Sequence, residues 1–304
     1  MLEDKISINL MKLNQDYLDI VNSKNYKKKS FTSHRHLNLG DLLREIRYGY
    51  FFNRIKKIIF SKKSNKDFSK YNFSKQNSDI SSKIAVYTVN TGNYDTNLYE
   101  PMYINPICDF FIITDNDIPK ESIWKKISIN SIPGIKDMTN LEKARYVKLH
   151  PHLIFDKYDY SLFIDGNIEI IADILPIFTE LGDNSFATHI HPFDNCLYSE
   201  ANTILALNKA NVSQVKKQIF NYKKNGFPKN YGLFETNILA RKHNDPKCIT
   251  LMNEWWNQMC KYTMRDQLSL TYCLWKLDYG LEFVKVLGIN PRINPRFRYH
   301  NHFR

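Results

Sequence analysis

The chain lacks several things whose absence narrows its chemistry. It has five cysteines, Cys108, Cys196, Cys248, Cys260 and Cys273, and no two stand in Cys-x-x-Cys spacing. No zinc framework is visible, and an odd, scattered set reads as reduced thiols in a cytoplasmic setting. No apolar run reaches the roughly 18 residues of a membrane span. The opening Met1-Leu-Glu-Asp-Lys lacks the basic-then-apolar order of a secretory signal. There is no G-x-G-x-x-G and no G-x-x-x-x-G-K-[ST], which counts against dinucleotide and P-loop chemistry. No recognised nucleic-acid motif and no long internal repeat is present.

What is present is a 304-residue chain with 43% hydrophobic and 14% aromatic residues, enough for a sizeable core. The net charge of +12 is uneven. Residues 1–80 hold 17 Lys/Arg against 8 Asp/Glu, whereas the other 224 residues hold 26 against 23. The basic character therefore belongs to an N-terminal extension, and nucleic acid is not the expected partner. Within that extension, Asp41 to Ile59 has helical spacing, with Asp41 as candidate N-cap. Its tail, Arg54 to Lys63, mixes Ile and Phe with basic residues and could lie on an anionic membrane surface or a partner enzyme. Residues 64–82 read as a linker.

A different rhythm begins at Lys83. Apolar strands are expected at 84–89, 109–114, 124–129, 160–164, 185–190, 234–240 and 281–286. Helices are expected after the capping box Thr139-Asn-Leu-Glu142, after Asp173, and over 197–208, 211–224, 246–261 and 266–276. Strands alternating with helices predict an α/β domain over 81–304 with a mainly parallel sheet. In such sheets ligands collect at the carboxyl ends of strands. Three expected strands end in polar groups: Thr88 to Gly92 with Asn90, Thr114-Asp115, and Asp165-Gly166-Asn167. A phosphate-bearing ligand would suit these ends. Each has a plainer reading as a turn or cap, and Asp-Gly between two apolar runs is also a hairpin signal. On the capping-box helix, Glu142, Arg145 and Lys148 share a face. They form either a basic stripe toward a diphosphate or a surface stripe with a Glu142–Arg145 pair. Asp266 is either an N-cap or a cleft carboxylate. His300 and His302 lie in a tail that could fold back as a metal ligand.

In order along the chain, Tyr87-Thr-Val-Asn-Thr-Gly92-Asn-Tyr-Asp95, Phe111 to Asp115, Trp124, Ala144-Arg145 to Pro151, Tyr160 to Ile168, His191-Pro, Cys196 to Ala201, Gly232 to Glu235, Arg241, Trp255-Trp256 and Arg265-Asp266-Gln267-Leu-Ser resemble the family known as domain of unknown function 616, the TOD/MUCI-type glycosyltransferase-like domain. The resemblance implies a GT-A-like, Rossmann-like fold and transfer of a sugar from a nucleotide-sugar donor, expected to be UDP-linked. The acceptor would be a cell-surface glycan or its lipid-linked precursor, in polysaccharide biosynthesis. It assigns Mn²⁺ or Mg²⁺ to Asp165 and Asn167, although asparagine replaces the second acid of a D-x-D motif; the tail, which the resemblance does not cover, offers His302 as a further expected metal ligand. It puts Thr88, Asn90, Gly92, Asp115, Arg145, Lys148, Asp165, Gly166 and Gln267 on the donor. Asp266 and Glu235 become candidate catalytic residues, with His191, Glu200 and Asn237 on the acceptor side. The expected setting is cytoplasmic, peripheral at the inner face of the membrane. A non-catalytic glycan-binding or assembly protein on a decayed transferase fold is the alternative.

Overall fold

The computed structural model describes residues 39–49, 70–72, 82–92 and 97–300. A seven-stranded sheet organises the fold. Its strands are β1 (Ile84–Asn90), β2 (Cys108–Thr114), β3 (Lys125–Ser128), β4 (Tyr160–Ile164), β6 (Phe186–Thr188), β7 (Ile238–Arg241) and β8 (Val284–Val286), in the order β3-β2-β1-β4-β7-β6-β8. β5 (Ile168–Ile170) and β9 (Phe297–Tyr299) form a separate antiparallel pair. Only β7 runs against its neighbours in the large sheet. The expected α/β class, mainly parallel and flanked by helices, is what the chain forms.

The apolar strands are buried because helices cover both faces. Alternation along β1 sends Ala85 and Tyr87 into one core with Phe163, Trp255 and Leu251, and Ile84 and Val86 into the other with Phe110, Leu162 and Phe178. The helices are α1 (Leu39–Arg47), α2 (Asn140–Leu149), α3 (Pro151–Ile154), α4 (Leu175–Thr179), α5 (Leu197–Ala206), α6 (Val212–Lys224), α7 (Pro246–Lys261) and α8 (Leu270–Lys276). A third cluster joins α5, α6 and α8 through Leu197, Ile204, Val215, Tyr222 and Tyr272.

Three expectations need correction. Asp41 is not the cap of its helix, because the helix already begins at Leu39. The described helix also stops at Arg47, well before Ile59, in a turn where Gly49 takes φ 71°; the basic tail 54–63 lies outside the described residues. The Asp-Gly turn does not close a hairpin. β5 pairs with β9 rather than β4, and Gly166 does not adopt a positive φ. Within the stretch read as linker, Asn72 bridges Lys285 in parallel at the β8 edge, and Tyr71 packs edge-on to Phe234 at 5.5 Å.

The connectivity locates the cleft. From β1 the chain steps outward to β2 and β3, then returns to place β4 on the other side of β1. The strand order reverses between β1 and β4, and ligands of open α/β sheets bind outside the carboxyl ends at such a point. Because β7 is antiparallel, its beginning lies at this same end: Asp165 N donates to Asn237 O at 2.9 Å. Residues preceding β7, Glu235 among them, are thereby brought beside the end of β4.

Candidate active site

The centre of the site is a carboxylate held by two cations. The capping box forms as expected, with Glu142 Oε2 accepting from Thr139 N at 2.8 Å. Glu142 is thus committed to the helix start, not to Arg145. Arg145 and Lys148, a turn further along α2, face inward. Lys148 Nζ lies 2.7 Å from Asp266 Oδ2 and 3.4 Å from Asp165 Oδ1, and Arg145 Nη1 lies 2.9 Å from the same Asp266 oxygen. Burial acts to raise the Asp266 carboxyl, but Arg145 and Lys148 outweigh it and hold the group well below the usual carboxylate range. Its other oxygen accepts from Gln267 N at 3.1 Å, and Trp255 Nε1 donates to Asp266 O at 2.9 Å. The Lys148 side chain is only 1% exposed, whereas Arg145 keeps 19%. Both cations are thus turned onto Asp266, Arg145 keeping the more open position of the two.

Lys148 is held from behind. Arg241, fully buried on β7, donates to Lys148 O at 2.7 Å and to Tyr87 Oη at 2.6 Å, and Tyr87 Oη donates to Lys148 O at 2.9 Å. A guanidinium at the last carbonyls of α2 also meets the negative end of the helix dipole.

Across the switch point, the turn after β1 is braced on α2 and β2. Thr91 Oγ1 donates to Asn140 O at 3.0 Å, and Gly92 N donates to the exposed Asp115 at 3.2 Å. Gly92 sits at φ 62°, and a Cβ there would collide with the Asn140 amide. Thr88 is buried on β1 with no hydrogen-bond partner for its hydroxyl, and Asn90 is half-buried at the strand's end.

The opposite wall is acidic. His191 Nδ1 accepts from Asp194 N at 2.9 Å, so the neutral ring carries its proton on Nε2. That nitrogen stands 3.7 Å from Glu235 Oε1 and 3.9 Å from Glu200 Oε2. Burial raises the Glu235 carboxyl to about 7, opposed by Arg292 and assisted by Asp165 and Asp266. Gln267 reaches back to Phe234 O at 3.5 Å, and Asn237 Oδ1 is buried without a partner. Arg145, Lys148, Asp165 and Asp266 are thus in direct contact, and His191, Glu200 and Glu235 form a second group near enough for Asp165 and Asp266 to act on Glu235.

The tail folds back, as considered, but for a different bond. His300 N donates to Asn167 O and Asn167 Nδ2 to His300 O, each at 2.9 Å. The His300 ring lies 2.7 Å from Glu169 Oε2 and stacks on Tyr99 at 3.8 Å. His302 lies outside the described residues. Among the described residues no three His, Cys, Asp or Glu gather to hold a metal. Asp165 and Asn167 still offer hard oxygen donors, with the Asn167 amide nitrogen already spent on His300. Such oxygen donors would suit a hard cation. Sequence reasoning missed Tyr87, Arg241 and Glu169 as parts of the site. No local signal marks them, since Tyr87 and Arg241 stand inside apolar strands and act only through contacts distant in sequence.

Charged groups of both signs gather where the strand order of an α/β sheet reverses, the place where proteins of this architecture bind their ligands. The particular family follows from comparison. Residues 112–287 match the family model described as TOD1/MUCI70, glycosyltransferase-like domain, over half of the 304-residue chain, and the chain belongs to that family. It is 28% identical over 169 residues to the probable hexosyltransferase MUCI70 of Arabidopsis thaliana, covering 50% of this chain and 27% of that protein. The chain therefore spans about a quarter of that relative's length. Similar solved structures include the WbbM bifunctional glycosyltransferase, at TM-score 0.45 and 14% identity over 71% of this chain and 40% of that one. Mouse xyloside xylosyltransferase 1 aligns at TM-score 0.41 and 10% identity over 72% of this chain and 95% of that one.

Proposed function

We propose that this chain is a glycosyltransferase that moves a sugar from a UDP-linked donor to a cell-surface glycan or its lipid-linked precursor. Membership of a glycosyltransferase-like family supports the reaction class. The observation that carries the reading is the convergence of Asp165, Arg145, Lys148, Asp266 and Glu235 beside the switch point. Sugar transfer needs the departing diphosphate stabilised as negative charge develops on it. Arg145, partly open, supplies fixed positive charge there. A divalent cation, when bound, would be held by Asp165 and Asn167 and would neutralise phosphate charge. The N–H groups around Gly92 and the Asp115 carboxylate suit the nucleoside end.

The two candidate catalytic acids divide by environment. Asp266, ionised and clamped by two cations, is a poor proton acceptor; it suits orientation of the sugar and stabilisation of positive charge near it. Glu235, with its carboxyl raised to about 7 and facing His191 Nε2, is poised to take or return a proton at neutral pH. We assign the acceptor hydroxyl to this wall, with Glu200 and Asn237 beside it. Asn167, in place of a second acid, favours a second reading: a glycan-binding protein that no longer transfers sugar.

The test is thermal unfolding of the full chain with UDP, GDP or CMP, each with and without Mn²⁺, together with hydrolysis of a UDP-sugar in the absence of acceptor. A nucleotide at about a hundred times its Kd stabilises by about 2.7 kcal/mol. UDP should raise the melting temperature, and Asp165→Ala should lose the Mn²⁺-dependent part. Nucleotide binding with no sugar release under any condition would support the second reading. No response to any nucleotide would refute the donor assignment.

A further inference from the structure

Helix α6 has two faces of opposite character. The inner face buries Val215, Gln218 and Tyr222. Gln218 Nε2 donates to Leu268 O at 3.2 Å and Ser269 Oγ at 3.1 Å, and Tyr222 stacks on Tyr272 at 3.6 Å. These contacts fasten the helix to the segment that carries Asp266 and Gln267. The outer face presents Lys216, Lys217, Phe220, Lys223 and Lys224, all exposed. Spacings of three and four place them on one stripe, with the ring in the middle. At 67% exposure, Phe220 is the most exposed large hydrophobic residue among those described. Between Glu200 and Glu235 the chain has six lysines and no acid. The stripe also borders the site. Just before α6, Lys209 O accepts from Arg265 Nε at 2.7 Å, and Asp266 follows Arg265 directly.

We propose that this stripe docks on an anionic lipid surface, with Phe220 entering the headgroup region and the lysines lying over lipid phosphates. A one-sign patch is complementary to such a surface, and each lysine brought to it contributes about fivefold to partitioning. The central phenylalanine selects a membrane over a soluble polyanion. A polyanion offers an exposed ring little to bury itself in, whereas burial of the ring adds roughly tenfold. Because the inner face of α6 is fastened to the Asp266 segment, docking would hold the site at a set distance from the lipid surface. The proposal rests on α6 alone and goes beyond the transferase reading; it stands whatever the donor is.

The test uses the full chain carrying Cys260→Ser, which removes the exposed thiol and leaves four buried ones, and Phe220→Cys, labelled with a nitroxide. Mixed phosphatidylglycerol–phosphatidylcholine vesicles should make the label more accessible to oxygen and less accessible to a water-soluble nickel complex. Pure phosphatidylcholine vesicles should not. Reversing Lys216, Lys217, Lys223 and Lys224 to glutamate in the same background should abolish the change. In the otherwise unaltered chain, Phe220→Ala should weaken partitioning about tenfold. A label that stays in water while the chain sediments with vesicles would overturn the proposal, since attachment would then run through other residues, such as the basic stretch in 1–80. Absence of sedimentation would also overturn it. So would equal binding of double-stranded DNA by the unaltered chain and Phe220→Ala with no immersion on vesicles, which would mark a polyanion site.

Discussion

Replacing Lys148 with methionine keeps most of the side-chain volume and removes a buried ammonium. In the native site that ammonium is 2.7 Å from Asp266 Oδ2 and 3.4 Å from Asp165 Oδ1, with 1% of its side chain exposed. Removing one partner of a buried ion pair typically costs about 3–5 kcal/mol. Arg145 remains on the same oxygen at 2.9 Å, so the low end, about 3 kcal/mol, is expected here. For a domain of this order of size that lowers the melting temperature by about 6–12 °C. The dependence on pH carries the sharper information. A carboxyl depressed in the folded state contributes stability that is present above its unfolded value, about 3.9, and is lost as pH falls through the folded one. Losing Lys148 lets the folded Asp266 value rise. The difference between native and Lys148→Met chains should therefore be largest at neutral pH and shrink as pH falls through the variant's raised value toward the native one. Introduced into an Asp266→Asn background, the same replacement should cost less and lose most of its pH dependence, because only the 3.4 Å contact to Asp165 remains for Lys148 to serve, and the loss of Arg145's partner is common to both chains of that background and cancels. Urea unfolding of the four chains at several pH values measures this. A cost that does not change from neutral pH down through the carboxylate range, and that is the same in the Asp266→Asn background, would mean that Lys148 only fills space, and the electrostatic account of the site would be wrong.

Three further outcomes follow from the same geometry. Glu235 is raised from 4.5 to about 7 in the folded state, so the chain should lose stability as pH rises through that window, by about 3 kcal/mol at about 1.4 kcal/mol per pH unit. Glu235→Gln should flatten that slope in unfolding curves; an unchanged slope would place the titration elsewhere. Arg241→Met should cost at least about 3 kcal/mol, since it strips the α2 terminus of a buried donor and leaves Lys148 O and Tyr87 Oη short of a partner; a cost below about 1 kcal/mol would show that α2 does not depend on it. Gly92→Ala should weaken UDP binding as well as stability by about 1–3 kcal/mol, because the residue must hold φ 62° against Asn140. A variant that binds UDP normally would remove this turn from the donor site.

Much of the architecture was legible from local patterns. The 246–261 helix runs over the predicted residues, with Asp245 capping it, and the Thr139–Glu142 box formed as written. Such features depend on side chains a few residues apart, so their chemistry can be read in one dimension. Where the pattern was ambiguous, distant contacts decided. Asp-Gly at 165–166 has the composition of a hairpin turn, yet β5 finds a better partner in β9, some 130 residues later in the chain. Glu142 and Arg145 are spaced to pair, but the cap claims one and Asp266 the other.

The candidate site divides along the same line. Strand-end position, helix starts and helical spacing were enough to nominate Asp165, Asp266 and Arg145, because polar groups closing apolar strands or opening helices stand out against their neighbours; Glu235 was nominated only through the family resemblance. Their roles relative to one another required the fold. Whether a carboxyl is a base or a fixed anion depends on which charges lie within a few ångströms and on how much water is excluded. Asp266 meets two cations through contacts more than a hundred residues apart in sequence, while Glu235 meets other acids and the His191 ring. The antiparallel insertion of β7 beside β4 brings Glu235 to that end of the sheet, and the buried Arg241 that steadies Lys148 rides on the same strand. Residue types and their local spacing thus named the participants; strand order and burial assigned their charge states, since electrostatic energy depends on distance and dielectric, neither of which is written along the chain.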